Sequence, residues 1–211
     1  MYFFFKRLLD ISISFTLLVL LSPLLLIVSL AIKIEDFSSP IIYKGERSAS
    51  RDETFFLYKF RTMIKDAESL GGPSTVFNDP RLTFIGKLLR KYKIDEIPQL
   101  LNVLFGEMSL VGPRPQVLFY TKKYKGEFLK ILDVKPGVTD LSSLYFLDMD
   151  STLGTKDVDL KYQSEIEPIK NRLRLKYINE MSFKLDLVIL IETFLSLIGL
   201  KGAIRFKIKE D

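Results

Sequence analysis

Asp95 and Glu96 are adjacent acids in a chain of 211 residues that contains no histidine and no cysteine. Those two absences exclude a Ser-His-Asp triad, an imidazole base, a thiolate nucleophile and any thiolate metal site. Catalysis here has to rest on Asp, Glu, Lys, Arg, Tyr, Ser or Thr. A metal would have to be a hard cation held by oxygen, with magnesium first in line. An acid at a helix start, just after a basic helix, is kept ionised by the positive end of the dipole and by neighbouring Arg or Lys. That suits a carboxylate nucleophile, whose attack on a phosphate yields an acyl phosphate that stores the group for a second acceptor. A lone Asp at a helix start is more often just a cap, so the residues alone favour that role and leave the catalytic one open.

Two helices must position this pair. Asp79-Pro80 reads as a helix start, with Phe84, Ile85, Leu88, Leu89 and Tyr92 recurring at core-facing spacing. Lys87, Arg90 and Lys91 fall on the other side, where Lys87 and Lys91 read as a solvated face. A second helix is expected after Asp95 as its N-cap, with Pro98 in the first turn and Ile97, Leu100, Leu101, Leu104 and Phe105 inward. Upstream, 41–44 and 54–60 are short β-type runs around the polar segment GERSASRDE, which predicts a hairpin with a longish loop. Gly71-Gly72-Pro73 marks a flexible turn.

The ends of the chain are apolar. Ile11 to Ile32 is an uncharged run long enough to span a bilayer. Pro23 in its middle frees the carbonyl of Val19 and bends the helix, and Ser12, Ser14 or Ser22 could return a hydrogen bond. Lys6 and Arg7 before the run and Lys33 after it place both ends on one side by the positive-inside tendency. A re-entrant helix is therefore expected over a straight span, though proline also occurs in spanning helices. Residues 183–198, FKLDLVILIETFLSLI, carry Lys184, Asp186 and Glu192, so an interfacial or core helix ending at Gly199 is expected.

Hydrophobic residues make up 47% and charged residues 27%, so the two kinds must be segregated. The excess of 31 basic over 26 acidic residues, a net charge of +5, suits anionic partners such as lipid head groups or nucleotides. Nucleic acid is disfavoured, because it would leave the 22-residue apolar run unexplained and basic residues interleaved with aromatics are few.

Leu110 to Pro115 (LVGPRP), Lys59 to Met63 (KFRTM) and Asp95 to Val103 (DEIPQLLNV) together closely resemble the bacterial sugar transferase family, the small monotopic phosphoglycosyl transferases. Lys6-Arg7 with Asp10, Ser22-Pro23, Pro136 to Thr139 (PGVT) and Ser182 to Leu187 (SFKLDL) match further motifs, in order, from Lys6 to about Leu197. The resemblance implies a two-step transfer in which Asp95 attacks the β-phosphate of a UDP-sugar, UMP departs, and polyprenyl phosphate takes the phosphosugar. It implies that Glu96 helps hold magnesium, that Arg90 and Arg114 grip phosphate oxygens with Lys59 and Arg61 as further candidates, and that Asp186 supports the site.

The expectation is thus an α+β fold, mostly helical with a small β-hairpin or sheet, mounted on an N-terminal re-entrant membrane helix. Residues 1–36 would form that helix, and 37–211 a catalytic domain with interfacial helices on the cytoplasmic face of a bacterial inner membrane. The partners implied are a UDP-sugar, polyprenyl (undecaprenyl) phosphate and membrane lipid, with a homodimer admitted as an assembly. Without extra N-terminal membrane helices the chain resembles the family's minimal form. The rival reading is a catalytically degenerate scaffold, against which stand the intact Asp95, Glu96, Arg90 and Arg114. Three departures bear on specificity. Asp140-Leu141 stands where many members have Gly-Trp, and the acid expected shortly before Ser182-Phe183 is missing from the region that holds Arg174. The hairpin loop from Ser48 to Glu53 is also unusual.

Overall fold

Val19, whose carbonyl Pro23 leaves without its helical partner, accepts a 2.8 Å hydrogen bond from the Ser22 hydroxyl. With that repair the first helix, α1 (Tyr2–Glu35), runs uninterrupted through the proline in the computed structural model of the chain. The structure describes residues 1–70, 79–146 and 158–200; the expected turn at Gly71-Gly72-Pro73 lies outside them. Two strands follow, β1 (Ile42–Ser48) and β2 (Thr54–Phe60), paired antiparallel in the register Ile42↔Phe60 to Ser48↔Thr54. The hairpin loop is shorter than its polar sequence suggested. Gly45 to Ser48 stay in the ladder because cross-strand pairing satisfies their backbone groups, and Thr54 adds a 2.9 Å bond to Glu46.

The next helix does not begin at Asp79-Pro80. Asp79 is captured by Arg81, whose backbone N and guanidinium both reach its carboxylate, and a backbone bridge joins Met63 to Leu82. α2 (Phe84–Lys91) starts instead from Thr83, whose hydroxyl accepts from the Gly86 amide at 2.9 Å. Asp95 likewise is no cap of the following helix. It lies in a 3₁₀ turn (Ile94–Glu96), and α3 (Gln99–Phe105) begins from Pro98 without a side-chain cap. Lys93, just before that turn, holds a left-handed φ of 57°, uncommon for a residue with a side chain.

After α3 come β3 (Ser109–Val111), α4 (Leu118–Thr121), a 3₁₀ segment (Gly126–Asp133), β4 (Gly137–Thr139) and α5 (Leu141–Tyr145). Strands β3 and β4 pair in parallel, Ser109↔Gly137 and Val111↔Thr139. This pairing lays the LVGPRP and PGVT segments side by side, so closely that a Cβ on Gly137 would stand 2.1 Å from the Gly112 nitrogen. α6 (Val158–Lys161) passes through a π-helical turn (Tyr162–Ile166) into α7 (Glu167–Glu180), and α8 (Phe183–Leu197) is capped by Ser182.

One core joins Phe55, Leu57, Leu100, Val103, Met108, Val111, Leu141, Leu173, Tyr177 and Ile189, and Leu9, Ile13, Leu17 and Leu18 of α1 pack onto it. A second gathers Phe60 and Leu89 with Val28 and Ile32 of α1. Contacts along α1 therefore run from α3 near its start to α2 near its end. Arg7 donates to the carbonyls of Val103 and Leu104, where a cation suits the α3 terminus, and Glu35 accepts from the Phe84 amide at 2.7 Å. The helical periodicity told only half of each neighbour's orientation. Ile85 and Leu89 turn inward, but Phe84, Leu88, Tyr92 and Phe105 are exposed, as are Phe3, Phe4, Phe15, Leu20 and Ile27 of α1 and Ile191 and Phe194 of α8.

Candidate active site

The KFRTM segment distributes its side chains over two jobs. Lys59, on β2, donates to Glu96 Oε1 at 2.7 Å, while Phe60 enters the core against Val28 and Ile32. Arg61 turns to the end of α1, pairing with the Asp36 carboxylate and lying 3.4 Å from the Ile32 carbonyl. Thr62 receives the Arg90 Nε at 3.1 Å and accepts the Thr83 amide on its carbonyl, so it sets the height of α2 above β2. Gly86 permits that approach, since a Cβ there would lie 2.0 Å from the Thr62 oxygen.

Glu96 is the centre of the charge cluster. Its Oε1 accepts from both Lys59 and Arg114 Nη2. Arg114 is fixed in turn by its Nη1 on the Val138 carbonyl at 2.7 Å and its backbone N on Asp140 at 3.0 Å. Beside it, Asp95 is 5% exposed, and its Oδ1 has no hydrogen-bond partner. Burial would raise the pKa of either carboxyl. For Glu96 the charges of Arg114 and Lys59 overcome that, and the group is held well below the usual range. For Asp95 burial wins, with Glu96 adding to it, despite Lys59, Arg90 and Lys93, so its pKa is raised. Neighbouring carboxyls are thus driven apart, one firmly ionised and one desolvated, which is how acids in one site come to have different tasks.

Lys59, Arg90, Asp95, Glu96 and Arg114 are therefore drawn into one neighbourhood, while Arg61 and Asp186 serve α1. Asp186 accepts from Tyr2 at 2.8 Å, Lys6 at 2.7 Å and Tyr177 at 2.7 Å, which ties the start of α1 to α7 and α8. Sequence reasoning passed over Asn102. This fully buried residue accepts from the Tyr58 amide at 3.0 Å and donates to the Phe56 carbonyl at 2.8 Å, binding the active-site helix to β2. Its signal was a second amide, three residues after Gln99, among the apolar residues of the helix.

Among the described residues no group of three or more acidic side chains is arranged to cage a metal. A magnesium ion held mostly by phosphate oxygens and water needs only one or two carboxylates. Glu96, kept ionised by Arg114 and Lys59, fits that demand.

A family profile described as bacterial sugar transferase matches residues 1–199. The chain is 35% identical over 192 residues to a UDP-glucose:undecaprenyl-phosphate glucose-1-phosphate transferase of Klebsiella pneumoniae, covering 90% of this chain and 39% of that one. It is 32% identical to a UDP-N-acetylgalactosamine-undecaprenyl-phosphate N-acetylgalactosaminephosphotransferase of Aeromonas hydrophila, covering 96% and 45%. The exopolysaccharide production protein PSS of Rhizobium leguminosarum bv. phaseoli is 35% identical, with 90% and 94% covered. The chain thus spans less than half of the first two relatives and nearly all of the third.

Proposed function

The chain belongs to the bacterial sugar transferase family, and we propose that it moves a sugar-1-phosphate from a UDP-sugar to polyprenyl phosphate through a covalent Asp95 intermediate. The observation that carries this reading is the buried Asp95 oxygen without a partner, beside a Glu96 whose charge Lys59 and Arg114 already satisfy. A structural cap would have its oxygen on a backbone amide; this one is left open for a reacting atom.

In the first step Asp95 attacks the β-phosphorus of the donor, the bond from that phosphorus to the bridging oxygen breaks, and UMP leaves with the electron pair. An oxygen of polyprenyl phosphate then attacks the same phosphorus, and the bond to Asp95 breaks, which restores the carboxylate. Arg90 and Arg114 face the phosphate oxygens with planar guanidinium groups, and Lys59 adds a point charge. Magnesium, held at Glu96, would supply neutralisation of the diphosphate. Capsule, exopolysaccharide, O-antigen or glycoprotein glycan synthesis would begin with this product.

The acceptor keeps its phosphate at head-group depth, so the nucleophile must lie there as well. A re-entrant α1 is supported by its attachments: Tyr2 and Lys6 reach Asp186, while Glu35 and Asp36 reach Phe84 and Arg61 of the same body. A straight span would carry one end about 30 Å away from that body. The exposed apolar side chains of α1, α2 and α8 suit a domain resting on the cytoplasmic leaflet of the inner membrane.

The test is to incubate wild-type and Asp95→Asn protein with magnesium and a panel of UDP-sugars, without lipid, and read intact mass. A sugar-phosphate adduct on the wild type alone is expected. No adduct with any donor, together with no UMP release once polyprenyl phosphate is added, would leave the scaffold reading in its place.

A further inference from the structure

Behind Arg114 the structure holds a second layer of charge that makes no contact with Asp95 or Glu96. Asp140, fully buried, accepts the Arg114 backbone amide at 3.0 Å, the Ser142 hydroxyl at 2.8 Å, and the Ser143 amide and hydroxyl at 2.6 and 2.7 Å. Its Oδ2 faces Arg174 Nε at 3.8 Å. Arg174, 1% exposed, gives Nη1 to Asn171 at 2.7 Å and to Glu167 and Tyr124 at 3.2 Å. Glu96, Arg114, Asp140, Arg174 and Glu167 thus form a ladder of alternating charge from the site to α7. Lys170 of α7 lies in the same region, against the rings of Phe146 and Tyr162.

A helix cap needs one carboxylate oxygen and is normally left wet. Burying a carboxylate and a guanidinium together is costly unless each holds the other and further hydrogen bonds complete them. Arg114 is what this pair supports: its backbone rests on Asp140, and its guanidinium rests on the carbonyl of Val138, two residues earlier on β4.

We propose that the buried Asp140–Arg174 pair is a positioning device that holds Arg114 on Glu96, so that it sets the turnover of the site from behind without touching substrate. The proposal rests on the transferase reading above. Asp140 keeps its charge although burial opposes it, because Arg174, Ser143 and the Arg114 amide outweigh the burial. Removing Arg174 alone leaves a buried carboxylate without its counter-charge, and the β4–α5 corner, whose Val138 carbonyl and Asp140 carboxylate support Arg114, must shift.

The experiment measures UMP release by the full chain in bilayer nanodiscs, with undecaprenyl phosphate and the active UDP-sugar. The variants are Arg174→Gln, Arg174→Lys, Asp140→Asn, Arg114→Lys and the doubles of Arg174→Gln with each of the last two, with thermal unfolding followed in parallel. Arg174→Gln and Asp140→Asn should each lower kcat about tenfold while KM for the lipid stays within about twofold, and Arg174→Lys should recover most of the loss. Neither double should be slower than its slower single, because both lesions act through one guanidinium. Effects that multiply in the Arg114→Lys background, or an unchanged kcat in Arg174→Gln, would overturn the positioning role while the transferase reading stands. If Arg174→Gln unfolds, Asp140→Asn and its double with Arg114→Lys decide by the same rule: an unchanged kcat in the single, or effects that multiply in the double, overturns the positioning role. A wild type that releases no UMP with any donor overturns both together.

Discussion

At the residue scale Asp95 is held against its own stability. A buried carboxylate whose Oδ1 lacks a partner fits the fold better protonated, and its pKa in the folded chain is accordingly raised, first by burial. The folded value therefore exceeds the unfolded one. The stability that protonation contributes is fully present below the ordinary Asp range and is lost as pH rises through the raised folded value. Asp95→Asn should thus abolish transfer and yet raise stability by about 1 kcal/mol at neutral pH, a gain that shrinks as pH falls through the raised folded value and is gone below about pH 4. Denaturant unfolding of both proteins across that range checks it; an Asn variant less stable at pH 7 would contradict it. Ionised Asp95 is also what the first step needs, so the acid limb of single-turnover UMP release should lie above the ordinary carboxylate value.

Among the elements, α2 depends on a single missing side chain. Gly86 sits where a Cβ would meet the Thr62 oxygen at 2.0 Å and the Thr62 carbon at 2.6 Å, and backbone atoms cannot move aside as a flexible side chain can. Gly86→Ala should push α2 from β2 and separate Arg90 from Thr62, although alanine is the better helix former. The expected cost is about 2 kcal/mol in thermal unfolding, together with weaker UDP binding. A variant as stable as the wild type would show that the helix can slide without loss. The same element explains a misleading pattern. Phe84, Leu88 and Tyr92 recur at core spacing but are exposed, because α2 lies along α1 on one side only and its apolar circumference is wider than its contact.

For the whole molecule the decisive feature is that both ends of α1 are tied to one body. Tyr2 and Lys6 meet Asp186, and Asp36 meets Arg61, though the helix between them has 34 residues, about 51 Å at the ordinary rise. The chain has no cysteine, so single thiols can be placed cleanly. Phe3→Cys and Ser38→Cys should both react with a membrane-impermeant maleimide in inverted vesicles and neither in right-side-out ones. Labelling from opposite sides would mean a straight span and would detach the domain contacts from the membrane-bound state.

Sequence alone determined the inventory: the adjacent acids with no histidine or cysteine to compete, the apolar run with proline in its middle, and the motifs whose order resembles one family. These are legible because composition and spacing act locally, as when Ser22 repairs the Val19 carbonyl three residues away. Tertiary structure decided the assignments. Lys59 and Arg61 are two apart in one motif and so alike in sequence, yet one reaches Glu96 and the other Asp36, because β2 ends at Phe60 and Arg61, beyond the ladder, turns to the end of α1. Asp95 read as a cap became a buried acid because the chain closes a 3₁₀ turn before α3 begins. Asp140 and Arg174, 34 positions apart, became a pair only when α7 packed against α5. Burial and charge pairing are properties of neighbours in space, and that neighbourhood is created by folding.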